Sequence, residues 1–98
     1  MITELACFDI KEDTNKQFEE TFQKAEKLIM TAEGYISHSI HRSIEKKSRY
    51  YIFVQWDSVG SHMEKFQKSA DFQTFVELIG SYIEDSFMEH LEEMKHQI

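Results

Sequence analysis

The chain has 98 residues, 41 % hydrophobic and 13 % aromatic, which is one domain's length (1–98) and too much hydrophobe for a disordered segment. Eleven Lys and Arg against 18 Asp and Glu leave a formal net charge of −7, which repels phosphate backbones and argues against a nucleic-acid partner. No apolar run approaches the ~20 residues of a membrane span, and no membrane partner is expected. The segment Met1–Asp9 has neither a basic n-region nor an apolar h-region, so no signal peptide is expected. The single cysteine, Cys7, excludes an intramolecular disulfide framework and a Cys-rich zinc module. These features predict a reducing, cytoplasmic setting.

Residues 2–11 read as a strand, with Ile2, Ala6, Phe8 and Ile10 on one face and Leu5 and Cys7 on the other. Strands apolar on both faces are usually covered on both sides. Asp13-Thr14 opens a helix in which Thr14 and Gln17 fit a capping box. Phe18, Phe22, Ala25, Ile29 and Ala32 then draw one helical stripe, and Gly34 is expected to end the helix as a left-handed cap.

Residues 35–44 alternate, placing Ile36, His38, Ile40, Arg42 and Ile44 on one side. The polar stretch Glu45–Ser48 is a turn, and the basic cluster Arg42–Arg49 around it reads as solvated. Arg49–Trp56 is the strongest strand, rich in aromatic and β-branched residues. Tyr50, Ile52, Val54 and Trp56 share one of its faces, and Tyr51 and Phe53 the other.

Asp57-Ser58 signals a helix start, with a short helix over 59–67 that sets His62 and Phe66 one turn apart. Ser69 caps a second helix carrying Phe72, Phe75, Val76 and Ile79 and stopped by Gly80. Phe87–Met94 alternates and reads as a closing strand. The order β-α-β-β-α-β is the ferredoxin-like α+β pattern with an antiparallel sheet. Helices on one face of that sheet leave Leu5, Cys7, Tyr51 and Phe53 on the other. An apolar patch of that kind predicts a homodimer by sheet-on-sheet packing.

Three segments, Ser43–Tyr50, Val54–Ser58 and His62–Gln73, resemble the antibiotic biosynthesis monooxygenase family, above all in the spacing Trp56-x-Ser58-x-x-x-His62-x-x-x-Phe66-x-x-Ser69. The likeness extends to Ala32-Glu33-Gly34 and Glu89-His90. It implies a dimeric α/β barrel of ferredoxin-like halves, each with a pocket between sheet and helices for a small apolar or aromatic ligand. It also implies oxygenation of aromatic polyketides or quinols with no cofactor or metal, although fold transfers better than reaction. The haem-degrading branch of the superfamily is excluded. Its Asn, Trp and His positions align here with Ala6 or Cys7, Lys65, and Phe75 or Val76.

Oxygenation without a cofactor needs a base, a pocket that holds the ring, and a donor for developing negative charge. His62 is the expected base, since imidazole titrates near neutrality; the competing role is structural packing. The resemblance places Trp56, Tyr50, Phe66, Phe72, Phe75 and Tyr82 in or near the pocket wall, where they equally serve as core. His38 either lines the pocket or only hydrogen-bonds within the core, and His90 belongs either to the site or to the dimer face. His41 and His96 are expected at the surface. His38 and His41 face opposite ways on a strand, and no His-Glu-x-x-His motif occurs, so no metal site is expected. Three functions follow: a cofactor-independent monooxygenase, a non-catalytic dimer that binds a small ligand or serves a stress-related role, and an isomerase or lyase acting on an acidic C–H.

Overall fold

The computed structural model describes residues 1–94; His96 lies outside the described residues. The elements are β1 (Ile2–Ile10), α1 (Asn15–Met30), β2 (Tyr35–Arg42), β3 (Arg49–Trp56), a π-helical turn (Ser61–Phe66), α2 (Ala70–Ile79), a 3-10 turn (Gly80–Tyr82) and β4 (Ile83–Leu91). The strands form one antiparallel sheet in the order β2-β3-β1-β4. Both helices pack on one face of it, as the ferredoxin-like α+β pattern requires.

The helical stripe is what docks α1. Phe18, Phe22, Ala25 and Ile29 are its buried residues, and they meet Ala6, Ile10, Ile52, Val54 and Trp56 of the sheet and Phe75 and Ile79 of α2 in one core. Ser69 caps α2 as its residue type suggests, its Oγ accepting the Phe72 N–H at 3.1 Å.

Several local expectations are corrected. No capping box forms at α1, because the Thr14 hydroxyl donates to the Lys11 carbonyl at 2.6 Å instead of accepting from the first turn. The helix ends at Met30 rather than at Gly34. Gly34 is left-handed (φ 86°), as expected, but it turns the chain into β2. β2 ends at Arg42 rather than 44, and β4 covers 83–91 rather than 87–94.

A bulge between Tyr35 and Ser37 sets two β2 residues against one on β3. It turns Ile36 outward, half exposed, and brings Tyr35 inward, edge-on to Trp56. Ile36 therefore does not share the face of His38 and Ile40. The expected short helix over 59–67 is a π-helical turn, in which the Gln67 N–H reaches back five residues to the His62 carbonyl at 2.9 Å.

That turn is anchored to the β2–β3 end of the sheet through Gly34. The Asp57 N–H donates to the Gly34 carbonyl at 2.9 Å, and the Ser61 hydroxyl donates to Asp57 Oδ1 at 2.5 Å. A Cβ on Gly34 would stand 2.5 Å from Ser61 Cβ and 2.6 Å from Asp57 Oδ1. Glycine is thus required both for the left-handed backbone and for the close approach. The consequence is positional, because Ser61 immediately precedes His62.

The sheet face away from the helices carries Leu5, Cys7, Tyr51 and Phe53 in register, Leu5 opposite Phe53 and Cys7 opposite Tyr51. β4 adds Phe87 opposite Cys7 and Leu91 opposite Thr3. Phe87 is 51 % and Leu91 38 % exposed, so this face presents apolar surface to solvent. Arg49 holds Asp9 at its rim with bonds of 2.7 and 3.0 Å, and this pairing draws the Asp9 carboxyl below its ordinary range.

Candidate active site

Between the sheet and the helices lies a cavity of about 330 Å³. Its walls are mainly apolar, with Trp56, Phe66, Phe72 and Phe75 among them, together with Val54 and Met88 from the sheet and Ile79 from α2. Glu4 and His62 supply polar groups to the same wall. The aromatic residues pack against one another, Phe66 meeting Phe72 edge-on at 5.5 Å between centroids and Phe72 stacking on Phe75 at 6.3 Å.

Glu4 is brought to the helix-side face of the central strand β1 by strand alternation, opposite Val54 on β3 and His90 on β4. Trp56 ends β3 and is fully buried; its indole N–H donates to Glu4 Oε1 at 3.0 Å. His62, 2 % exposed, stacks on the Trp56 ring at 5.1 Å with the planes 19° apart. Its Nε2 lies 3.2 Å from the same Glu4 Oε1, and its Nδ1 lies 2.9 Å from His90 Nε2. Of the two imidazole nitrogens, Nδ1 is the one in a hydrogen bond.

The protonation pattern follows from what each atom can do. Burial, with the neighbouring His90, pushes His62 down to about 4, so its imidazole is neutral at neutral pH and carries one ring hydrogen. Glu4 is held above the ordinary carboxylate range, because burial penalises its charge more than the Trp56 N–H favours it. When Glu4 is ionised, its Oε1 can only accept. That oxygen takes the Trp56 N–H, with His62 Nε2 beside it at 3.2 Å, and His62 Nδ1 is hydrogen-bonded to His90 Nε2.

Of the residues singled out in the sequence, His62, Trp56, Phe66, Phe72 and Phe75 line this cavity. His90 stands behind His62, one hydrogen bond from the wall. Three others stand elsewhere. His38 is bonded through Nδ1 to the Tyr35 hydroxyl at 2.6 Å and through Nε2 to Glu26 at 2.8 Å, joining β2 to α1. Tyr50 borders a separate hollow with Glu19, Ile40, His41 and Arg42; its hydroxyl donates to Glu19 and accepts from Asn15 Nδ2 at 2.9 Å. Tyr82, in the 3-10 turn, packs edge-on against Phe18 and bonds Thr21. Among the described residues, no group of three or more His, Cys, Asp or Glu side chains is arranged to hold a metal.

Glu4 is the site residue that the sequence reading missed. Its signal was present: an acidic residue sits on the otherwise apolar face of Ile2, Ala6, Phe8 and Ile10. A carboxylate at a core-facing strand position needs a partner, and the buried indole N–H of Trp56 needs an acceptor.

The architecture is an α+β domain with a cavity between its sheet and its helices, and comparison with known proteins agrees on the fold. The sequence profile of the family described as "Antibiotic biosynthesis monooxygenase" matches residues 1–78. The Bacillus subtilis protein YczJ is 33 % identical over 79 residues, 81 % of this chain and 83 % of its own. A Bordetella bronchiseptica structure assigned to the same family superposes with a TM-score of 0.91 at 33 % identity, covering 95 % of this chain and 96 % of that one. SnoaB from Streptomyces nogalater, a cofactor-independent oxygenase, has the same fold with a TM-score of 0.83 at 14 % identity, covering 97 % of this chain and 94 % of its own. The chain belongs to the antibiotic biosynthesis monooxygenase family.

Proton linkage gives the site a signature in stability. His62 has a folded-state pKa of about 4 against an ordinary 6.5, so between those values the unfolded chain binds more protons than the folded one. Its contribution is present above pH 6.5 and is lost as pH falls toward 4. Urea denaturation of wild type and His62→Gln at a series of pH values reads this directly. The stability difference in favour of wild type is expected to shrink from pH 7 to pH 4. A difference that grows instead means that Glu4 holds His62 as an imidazolium.

Proposed function

We propose that this protein is a cofactor-independent monooxygenase of a small aromatic or quinol-like compound, with His62 assisting deprotonation before reaction with O2. The observation that carries this reading is the juxtaposition of an aromatic-walled cavity with an acid–base cluster in the same wall. A phenolic substrate that loses its proton becomes electron-rich at the ring carbon, which is the form that reacts with O2. Exchange of a ring CH2, the keto tautomer of a phenolic C–H, for C=O places one oxygen atom in the product. The second leaves as water, so the substrate supplies every electron. The protein's share is to orient the ring, limit water and manage the proton. The family membership and the fold shared with SnoaB support the reading.

Oxygen uptake with a panel of hydroquinones and naphthoquinols tests it. Wild type is expected to turn over at least one member aerobically, and His62→Ala to lower that rate by about 10²–10⁴-fold, the usual weight of acid–base assistance. Absence of uptake across the panel, with ligand-induced stabilisation but no product, supports a binding protein instead. Product formed equally well under anaerobic conditions supports an isomerase or lyase.

The same reading includes a homodimer joined through the outer sheet face, where Leu5, Phe53, Phe87 and Leu91 gather. A patch of this kind on one subunit is covered by a two-fold copy of itself. The mass in solution is expected to be twice the subunit's 11.7 kDa. A monomer at micromolar concentration overturns this assembly.

A further inference from the structure

We propose that Glu4 Oε2 is the atom that receives the proton of a phenolic or enolic O–H bound in the cavity, with Trp56, His62 and His90 acting as positioning residues for that carboxylate. The inference rests on the oxygenase reading for its biological setting, but not for its geometry.

His62 is held by His90 through Nδ1 at 2.9 Å, with its Nε2 3.2 Å from Glu4 Oε1. Glu4 Oε1 accepts the Trp56 N–H at 3.0 Å, whereas Oε2 has no hydrogen-bond partner among the described residues. No buried side-chain oxygen or nitrogen there lacks a partner, so Oε2 is open. It belongs to a side chain only 12 % exposed that forms part of the cavity wall. The carboxylate therefore has one oxygen clamped by the protein and the other available to a ligand.

The clamp also has a chemical consequence. The Trp56 N–H on Oε1 restrains the carboxylate, and the apolar wall raises the proton affinity of the anion. In the step itself, the substrate O–H bond breaks and its electron pair stays on the substrate oxygen. The proton forms a bond to Oε2, so net charge is conserved within the cavity. The titratable groups facing Glu4 are His62 from the π-helical turn and His90 from β4, while β3 offers the indole of Trp56. Lys65, on the same turn, pairs with Glu33 at 3.0 Å instead.

4-Nitrophenol is a suitable probe, because its phenolate absorbs visible light and no oxygenation is needed to see it. Its spectrum when bound is recorded across pH for wild type, Glu4→Gln and His62→Gln, with circular dichroism to confirm folding. The wild-type complex is expected to keep its phenolate band below the pH at which free 4-nitrophenol loses it, with the proton held on Glu4. In Glu4→Gln the ratio of phenolate to phenol is expected to fall about tenfold or more, one pKa unit, with binding retained. His62→Gln is expected to keep the band and shift its pH profile. A band unchanged in Glu4→Gln but lost in His62→Gln overturns the assignment in favour of the imidazole. Failure of the wild type to bind the phenol overturns the ligand class. A band that depends on Glu4 in a protein that consumes no oxygen leaves this assignment standing and defeats the oxygenase reading.

Discussion

A buried carboxylate set against Trp56 and His62 is the constraint around which the rest of this small domain is arranged. An ionised group inside an apolar wall is costly unless its lone pairs are met. Trp56 donates to Glu4 Oε1 from β3, and His62 comes within 3.2 Å of it from the π-helical turn. Each ring is itself placed by packing. The indole closes the end of the central strand pair, and the imidazole stacks on it at 5.1 Å. Loss of Glu4 leaves the buried Trp56 N–H without its acceptor.

The fold supports this cluster by converging several segments on one spot. β1 is central in the sheet, which puts Glu4 between β3 and β4 and within reach of Trp56 and His90. The turn that carries His62 is held to the start of β2 by Gly34, Asp57 and Ser61. Its extra residue per turn relative to an α-helix is the kind of irregularity that often sits at a site. α2 completes the enclosure with Phe72 and Phe75, so the cavity lies where the core would otherwise have closed.

Much of the architecture was legible in the chain because its periodicities are clean. The stripe of Phe18, Phe22, Ala25 and Ile29 and the two-faced strand Arg49–Trp56 each specify an element and its buried side. The spacing from Trp56 to Ser69 carried the family. Other features depended on tertiary geometry. The bulge at Tyr35–Ser37 exchanges the roles of Tyr35 and Ile36, which alternation alone assigns the other way. The Thr14 hydroxyl found the Lys11 carbonyl, a competitor that the capping pattern does not include. Six residues of π-helix have no sequence signature distinct from α-helix. For the site, the family resemblance pointed to His62, Trp56, Phe66, Phe72 and Phe75, which line the cavity, and also to His38, Tyr50 and Tyr82, which do not, while Glu4 passed unnoticed. A single acidic residue in an apolar strand gains meaning only when Trp56, 52 positions away, is seen to donate to it.

The central claim is that His62 is a neutral imidazole buried beside Glu4 and hydrogen-bonded to His90 through Nδ1. Two-bond proton–nitrogen correlation of the ring nitrogens of His62 at pH 7 measures this directly. The account predicts the nitrogen shifts of a neutral ring. An imidazolium pattern, with both ring nitrogens protonated, contradicts it.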